Sequence, residues 1–330
     1  MRISVVVPTY NRRAIVTRTL ERLFAQDCPR DSFEILVVVD GSTDGSAEAL
    51  GRMRAPCALR VLEQENRGLA GARNTGFRAA QGEVVLFLDD DMRCELGLVA
   101  AHLTAHCQEE GIASFGALFL SPESPPSLAA ECFKREIGAA HLSPREAEDT
   151  TWLREDCVFS NASLRRETLL SLGGFDESFR MREDLEFGQR LFATGVRPVY
   201  LPNAIAHQYY AKTAADLIRD SEAFAEADLN LARKHPQLRL PAQVSSLADE
   251  SGWKARVREW AARHPALVDN LLGPLCAAGE RWIGVAALRN VGVRALQFRR
   301  RAHWLHAVRR LEAHSYAQAE PEEAKKEREP

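Results

Sequence analysis

The run Val84-Val85-Leu86-Phe87-Leu88 ends in three consecutive carboxylates, Asp89, Asp90 and Asp91. A continuous short apolar stretch reads as a strand buried on both faces, as in a parallel sheet covered by helices. Burying even one carboxylate costs several kcal/mol unless it is paired or bound to metal. Three at the mouth of a buried strand call for a cation, and hard oxygen ligands suit Mg²⁺ or Mn²⁺. In open α/β sheets, ligands bind just beyond the carboxyl ends of the strands. A surface cluster capping the next helix is the plain alternative. The strand before the acids and the motifs around them weigh against it.

The first half of the chain alternates apolar runs with helical patterns. Strands are expected at 2–8, Phe33–Val39, Leu59–Leu62, Val84–Leu88 and Ser114–Leu120. Helical patterns lie between them at Ala14–Gln26, Ser46–Arg54, Ala70–Ala80 and Leu96–Glu110. Such alternation predicts a parallel, doubly wound sheet. Residues 121–150, rich in Pro, Ser and charge, read as a long irregular loop or lid. A short strand is expected at Cys157–Asn161, then helices from Glu167 and over Asp184–Thr194, and short strands at Val199–Leu201 and Ala204–Gln208. Helical patterns follow at Thr213–Lys234, Trp253–Arg263 and roughly 267–313, with a disordered charged tail over 316–330. The division expected is 1–215 for the sheet domain, 216–315 for a helical extension and 316–330 for the tail.

Composition narrows the function classes. A net charge of −3 over 330 residues gives no argument for nucleic acid as partner. Seven scattered cysteines with no Cys-x-x-Cys pair fit free thiols in a reducing compartment. The chain opens directly into a strand and has no apolar run of membrane-spanning length, so a cytoplasmic location is expected.

Two turns share the carboxyl edge with Asp89–Asp91. Strand one ends in Pro8-Thr9-Tyr10-Asn11-Arg12, and strand two in Asp40-Gly41-Ser42-Thr43-Asp44-Gly45-Ser46. Backbone N–H groups and helix N-termini there are open to a nucleotide, with Asp40 placed to accept from a base or ribose. Ser42, Asp44 and Ser46 read as helix caps. The same stretch imitates the start of an EF-hand loop, but its twelfth position is Gly51 and a strand precedes it, so that reading fails. In Asn66-Arg67-Gly68-Leu69-Ala70-Gly71-Ala72-Arg73-Asn74-Thr75-Gly76, small residues suit close packing on the sheet, and two Arg suit phosphate or a base.

Together with Gly173-Gly174-Phe175-Asp176-Glu177 and Glu183-Asp184, these motifs occur in an order that resembles family 2 glycosyltransferases, inverting enzymes of the GT-A fold. The resemblance covers about residues 1–210. It implies that Pro8, Thr9, Asp40, Arg67 and Arg73 surround the nucleotide of a nucleotide-diphosphate sugar. Asp89 and Asp90 would face its ribose and diphosphate, with Asp89 and Asp91 on the Mn²⁺ or Mg²⁺. Asp184 matches the catalytic base, the one group that single-step inversion needs to take the acceptor hydroxyl proton. Asn161, Gly174, Phe175 and Glu183 would lie on the acceptor side, and His207 would be a further metal ligand. The plain alternatives are acids favoured by a helix N-terminus, a turn glycine and a buried strand histidine. A retaining enzyme of this fold, a metal-dependent nucleotidyltransferase and a non-catalytic binding member are the other functions open to such a chain.

Residues 281–311 hold eight Arg and no Asp or Glu. Val285, Leu288, Leu296, Trp304, Val308 and Leu311 recur among them at helical spacing. An amphipathic helix packed on the rest of the protein explains the pattern. A basic, Trp-bearing helix touching anionic lipid is the alternative, suited to a lipid-linked or glycan acceptor.

Overall fold

The computed structural model describes residues 2–141, 157–236 and 252–319. These described residues divide into two compact units: one holds those of 2–125 and 133–211, the other those of 126–132 and 212–319.

The first unit is built on an eight-stranded sheet. Its strands are β1 (Ile3–Thr9), β2 (Phe33–Asp40), β3 (Ala58–Gln64), β4 (Val84–Leu88), β5 (Met92–Cys94), β6 (Ile112–Leu120), β7 (Asn161–Arg165) and β8 (Arg197–Gln208). The order is β3-β2-β1-β4-β7-β6-β8-β5. The first four run parallel, as expected. The sheet is nevertheless mixed, because β7 enters antiparallel between β4 and β6, and β5 pairs antiparallel with β8.

Helices α1 (Arg13–Phe24), α2 (Ser46–Gly51), α3 (Gly68–Ala79) and α4 (Leu98–Gln108) follow the early strands. Period-two alternation sends Val5, Val7, Ile35, Val37, Leu86 and Leu88 to one face, against Val16, Leu20 and Leu23 of α1 and Leu98 of α4. Val6, Leu36, Val38, Val85 and Phe87 face the other way, against Ala72 and Phe77 of α3. Complete burial of a side chain such as Phe87 contributes about 2–3 kcal/mol. With both faces covered, the strand ends are where polar chemistry surfaces.

Several expected boundaries shift. Helix α5 (Leu128–His141) stands where an irregular loop was expected over 121–150, and residues 142–150 lie outside the described region. The strand expected at Cys157–Asn161 begins instead at Asn161, with Cys157–Ser160 leading into it as coil and turn. Helices α6 (Arg166–Ser171) and α7 (Glu183–Ala193) follow. The two short strands expected near 199–208 are one strand, β8, whose register against β6 jumps between Gly116 and Ala117. Gly116 pairs with Leu201 and Ala117 with Ile205, so Pro202–Ala204 loop out. Asn161 fills that gap, donating through Nδ2 to the Ala204 carbonyl at 2.9 Å. A Cβ on Gly116 would lie 2.2 Å from the same Nδ2.

Beneath β6 and β7 sits a buried polar group. His102 Nδ1 is 3.0 Å from Ser114 Oγ and 2.9 Å from Ser163 Oγ, its Nε2 is 3.0 Å from Asn161 Oδ1, and His106 Nε2 is 2.9 Å from Ser163 Oγ. Burial pushes both imidazoles down, His102 to about 3 and His106 to about 4.

The second unit is helical. α8 (Ala214–Lys234) starts at a capping box between Thr213 and Asp216. α9 (Trp253–Arg263), α10 (Pro265–Arg281) and α11 (Ala286–Ala319) follow. The single helical stretch expected over 267–313 is thus two helices joined by a turn, and α11 runs through residues 316–319 of the expected tail; residues 320–330 lie outside the described region. Trp304 donates from Nε1 to Asp228 Oδ2 at 2.9 Å, and Leu296, Trp304 and Val308 are buried within this unit. Among the described residues, no helix is long and apolar enough to cross a membrane.

Candidate active site

The edge formed by the ends of β1, β2 and β4 carries the predicted residues. Asp40, at the end of β2, is buried. Its Oδ1 accepts from Gln64 Nε2 at 2.6 Å and from the Arg67 N–H at 2.8 Å; its Oδ2 accepts from the Gly68 N–H at 2.9 Å. The carboxylate therefore caps the start of α3, where free N–H groups and the helix dipole favour an anion. Arg67 turns away from this edge and pairs with Glu177 at 2.7 Å. Asp44 accepts from the Ser46 and Arg13 N–H groups, consistent with its reading as a cap.

The three aspartates have different surroundings. Asp90 is held from within the protein: Thr9 Oγ1 donates to its Oδ2 at 2.7 Å, Arg12 Nη1 to its Oδ1 at 2.9 Å, and Thr19 Oγ1 to its carbonyl at 2.6 Å. Thr9 and Asp90 thus bind each other in the interior. Asp91 Oδ2 accepts from Arg12 Nη1 at 3.2 Å and Gln208 Nε2 at 3.3 Å. Its buried Oδ1 has no hydrogen-bond partner among the described residues. Burial, then the charges of Asp89 and Asp90, push the Asp91 carboxyl up to about 7. Asp89 is the most open of the three, its side chain 25 % exposed.

Arg73 ties this edge to α7. It is fully buried, donating from Nη2 to Asp89 Oδ1 at 3.1 Å and from Nη1 to Glu183 Oε1 at 2.9 Å. Its guanidinium lies 5.4 Å from the Phe175 ring centre. Burial alone would weaken the cation, but Asp89, Glu183 and Asp184 hold it above its ordinary pKa. Burial and neighbouring Asp184 push Glu183 up to about 7. Asp184 is also raised by burial, opposed by Arg73 and by the Leu185 N–H, which donates to its Oδ1 at 2.8 Å. Arg182, just before the acids, has φ +65°. A non-glycine residue there carries strain of order 1–3 kcal/mol, a feature that clusters at functional sites.

Asn74 joins α3 to the Gly-Gly-Phe-Asp-Glu turn. Its Nδ2 donates to the Phe175 carbonyl at 2.8 Å and to Glu177 Oε1 at 2.9 Å, and its Oδ1 accepts from the Phe175 N–H at 2.9 Å. Gly174 has φ +81°, and a Cβ on it would lie 2.4 Å from Asn74 Oδ1, so only glycine fits.

Besides Arg67, Asp90 and Glu183, which pair with Glu177, Thr9 and Arg73, three further placements differ from expectation. Phe175 is not a surface of the cleft: it is buried edge-on to Phe87 and Phe159, under Arg73. Asn161 is buried in the β6–β8 gap. His207 does not join the aspartates. Neighbouring strand residues point to opposite faces, so Gln208 reaches Asp91 while His207 Nε2 meets Glu95 Oε1 at 3.1 Å. Arg12, Thr19 and Gln208 were missed as site residues. Arg12 lies in the quoted Pro-Thr-Tyr-Asn-Arg motif, but pairing across more than seventy residues is not visible in sequence.

The donor set fits a divalent cation. Asp91 offers an unpartnered buried oxygen, and Asp89 a partly open carboxylate. Among the described residues no three His, Cys, Asp or Glu side chains converge as a ready cage. That arrangement suits Mg²⁺ or Mn²⁺ held by one or two carboxylates plus substrate phosphates. A cavity of about 250 Å³, lined by Asp91, Arg93, Tyr209, Thr19, Arg18 and Glu21 among others, opens beside Asp91.

A mixed sheet with this acidic carboxyl edge is the GT-A arrangement of nucleotide-sugar glycosyltransferases. The chain belongs to glycosyl transferase family 2, whose family model matches residues 4–171. Solved structures with the same fold include Staphylococcus aureus TarS residues 1–349 in complex with UDP, at TM-score 0.53 and 19 % identity over 97 % of this chain and 92 % of that one. Another is the mannosyltransferase PcManGT of Pyrobaculum calidifontis with GDP-Man and Mn²⁺, at TM-score 0.56 and 21 % identity over 92 % and 86 %. Among curated relatives, validoxylamine A glucosyltransferase of Streptomyces hygroscopicus is 28 % identical over 79 % of this chain and 68 % of its own length. A Bacillus subtilis glycosyltransferase, YfnE, is 37 % identical over 35 % of this chain, which spans only 30 % of its length.

Proposed function

We propose that this glycosyltransferase moves a sugar from a nucleoside-diphosphate donor to an acceptor hydroxyl with inversion at the anomeric carbon. It works with a divalent cation, Mn²⁺ or Mg²⁺, in the synthesis of a cell-surface or secreted glycan. The observation that supports this reading is the chain of Asp89, Arg73 and Glu183, which links the acidic strand end to the start of α7, where Asp184 follows Glu183. In this scheme Asp40, Thr9 and Pro8 shape the nucleotide pocket, Asp40 by fixing the start of α3. Asp89 and Asp91 hold the cation, which when bound neutralises charge on the leaving diphosphate.

Asp184 takes the acceptor hydroxyl proton as that oxygen bonds to the anomeric carbon. The bond from that carbon to the diphosphate breaks on the opposite side, and the nucleoside diphosphate leaves. Asp184 must be ionised to act, and Arg73 offsets the burial that favours its protonated form. Glu183 is the positioning partner of Arg73. The first unit carries this chemistry; the helical unit makes peripheral contact with the inner face of a membrane. The test is Asp184→Asn, assayed for transfer and for donor binding. Turnover should fall by 10²–10⁴-fold, the usual share of a general base, with donor binding kept. Near-normal turnover sinks the assignment.

A further inference from the structure

Among its described residues, the helical unit carries an apolar surface that their packing leaves exposed. On α10, Leu267, Leu271 and Leu275 recur every four residues, and Leu271 is 65 % exposed. That spacing makes one stripe. Val268, Leu272 and Cys276 form the neighbouring stripe that packs inward. The turn adds Trp282, 51 % exposed, and Val285; α11 continues with exposed Leu288 and Val291. Gly279 and Gly292 bring the backbones of α10 and α11 together near the turn, so Leu275, Trp282, Val285, Leu288 and Val291 cluster at that end of the hairpin, and Leu271 and Leu267 carry the stripe about 6 and 12 Å further back along α10.

Charge decides what covers this surface. Residues 281–311 hold eight Arg and no acid, and Arg281 and Arg294 are exposed here. The acids of α10 have partners within the unit: Asp269 with Arg299 and His303, Glu280 with the Leu128 N–H. A second copy docked through the same face about a two-fold axis would set arginine against arginine. An anionic lipid surface matches both features, its acyl boundary taking Leu and Trp and its phosphates the guanidiniums. Trp282, with Arg281 5.9 Å from its ring centre, is suited to the headgroup level.

We infer that the exposed apolar stripe of α10 and the α10–α11 turn, from Leu267 to Val291, seats on a membrane surface bearing anionic phospholipid headgroups. This rests on the peripheral contact proposed above and confines it to one surface, since Leu296, Trp304 and Val308 are committed to the interior. The experiment is co-sedimentation of the full chain with vesicles of phosphatidylcholine, alone or with roughly a third phosphatidylglycerol, across a salt series. Wild type should bind the anionic vesicles and release with salt. Leu271→Glu with Trp282→Glu, and separately Arg281→Gln with Arg294→Gln, should each weaken binding about tenfold or more. Thermal melts check that both variants fold. Equal binding to neutral vesicles, or undiminished binding by both variants, overturns the inference. So does a dimer in solution that Leu271→Glu dissolves. Donor binding measured without vesicles tests the glycosyltransferase reading separately and should be the same in all three proteins.

Discussion

Replacing Arg73 with Met removes one cation and leaves most of its volume. Met keeps contact with Phe175, so altered packing contributes under about 1.5 kcal/mol. The electrostatic loss is larger. Arg73 is 2 % exposed and holds Glu183 at 2.9 Å. Removing one partner of a buried ion pair costs about 3–5 kcal/mol when the other must stay charged. Glu183 need not stay charged at every pH. Its carboxyl stands at about 7 with Arg73 present, and higher without it. The unfolded chain ionises this group near 4.3. Between those values the native state holds the extra proton, so stability falls as pH rises, by about 1.4 kcal/mol per pH unit. In wild type that fall ends near pH 7; in the variant it continues beyond. The variant should therefore trail wild type by about 1 kcal/mol at pH 6, the worth of a hydrogen bond to a neutral carboxyl. The gap should widen by about 1.4 kcal/mol, to roughly 2.4 kcal/mol at pH 8, and approach the full ion-pair cost only at still higher pH. Thermal melts at pH 6, 7 and 8 read this directly, since each kcal/mol shifts Tm by about 2–4 °C in a unit of this size. A gap of the same size at all three pH values would refute the argument that Arg73 holds a buried, titrating Glu183.

Other expectations follow from the same geometry. UDP or GDP with Mn²⁺ at a hundredfold excess over Kd should raise wild-type stability by about 2.7 kcal/mol; Asp91→Asn should lose that gain and His207→Ala keep it, as thermal shift would show. Gly174→Ala should cost roughly 1–3 kcal/mol from backbone strain alone, with further loss as Asn74 is displaced; an unchanged urea midpoint would contradict the steric reading. His102 and His106 are depressed to about 3 and about 4, so below pH 6.5 the unfolded chain takes up protons the native state refuses. Stability should fall with acid by about 1.4 kcal/mol per pH unit for each, and His102→Gln should flatten the Tm profile between pH 7 and 5.

The sequence made the parallel half of the sheet legible because β1, β2 and β4 are buried on both faces and read as plain apolar runs. It misplaced β7 because that strand, Asn161-Ala162-Ser163-Leu164-Arg165, is largely polar and is stabilised in the interior by His102 and His106 from α4. No local pattern reports such a partner. The same limit applies at the site. The motifs pointed to Thr9, Asp40, Arg73, Asp89 and Asp91, yet Thr9 binds Asp90 and Asp40 caps α3. His207 and Gln208 are adjacent in sequence, and only the pleat shows that Gln208 reaches Asp91.

The gap filled by Asn161 has a consequence during synthesis. The β6 backbone is complete once residue 120 has left the ribosome, and Asn161 follows some forty residues later. The carbonyl of Ala204 that Asn161 serves comes later still. Until residues 197–208 emerge, β6 lacks a neighbour on one side, and a buried amide lacks its acceptor. Nascent chains of this protein should therefore remain loose at the centre of the sheet while β1, β2 and β4 can already pair. Arrest of translation before residue 197 should leave the segment around Gly116 open to protease, and arrest well beyond residue 208 should protect it.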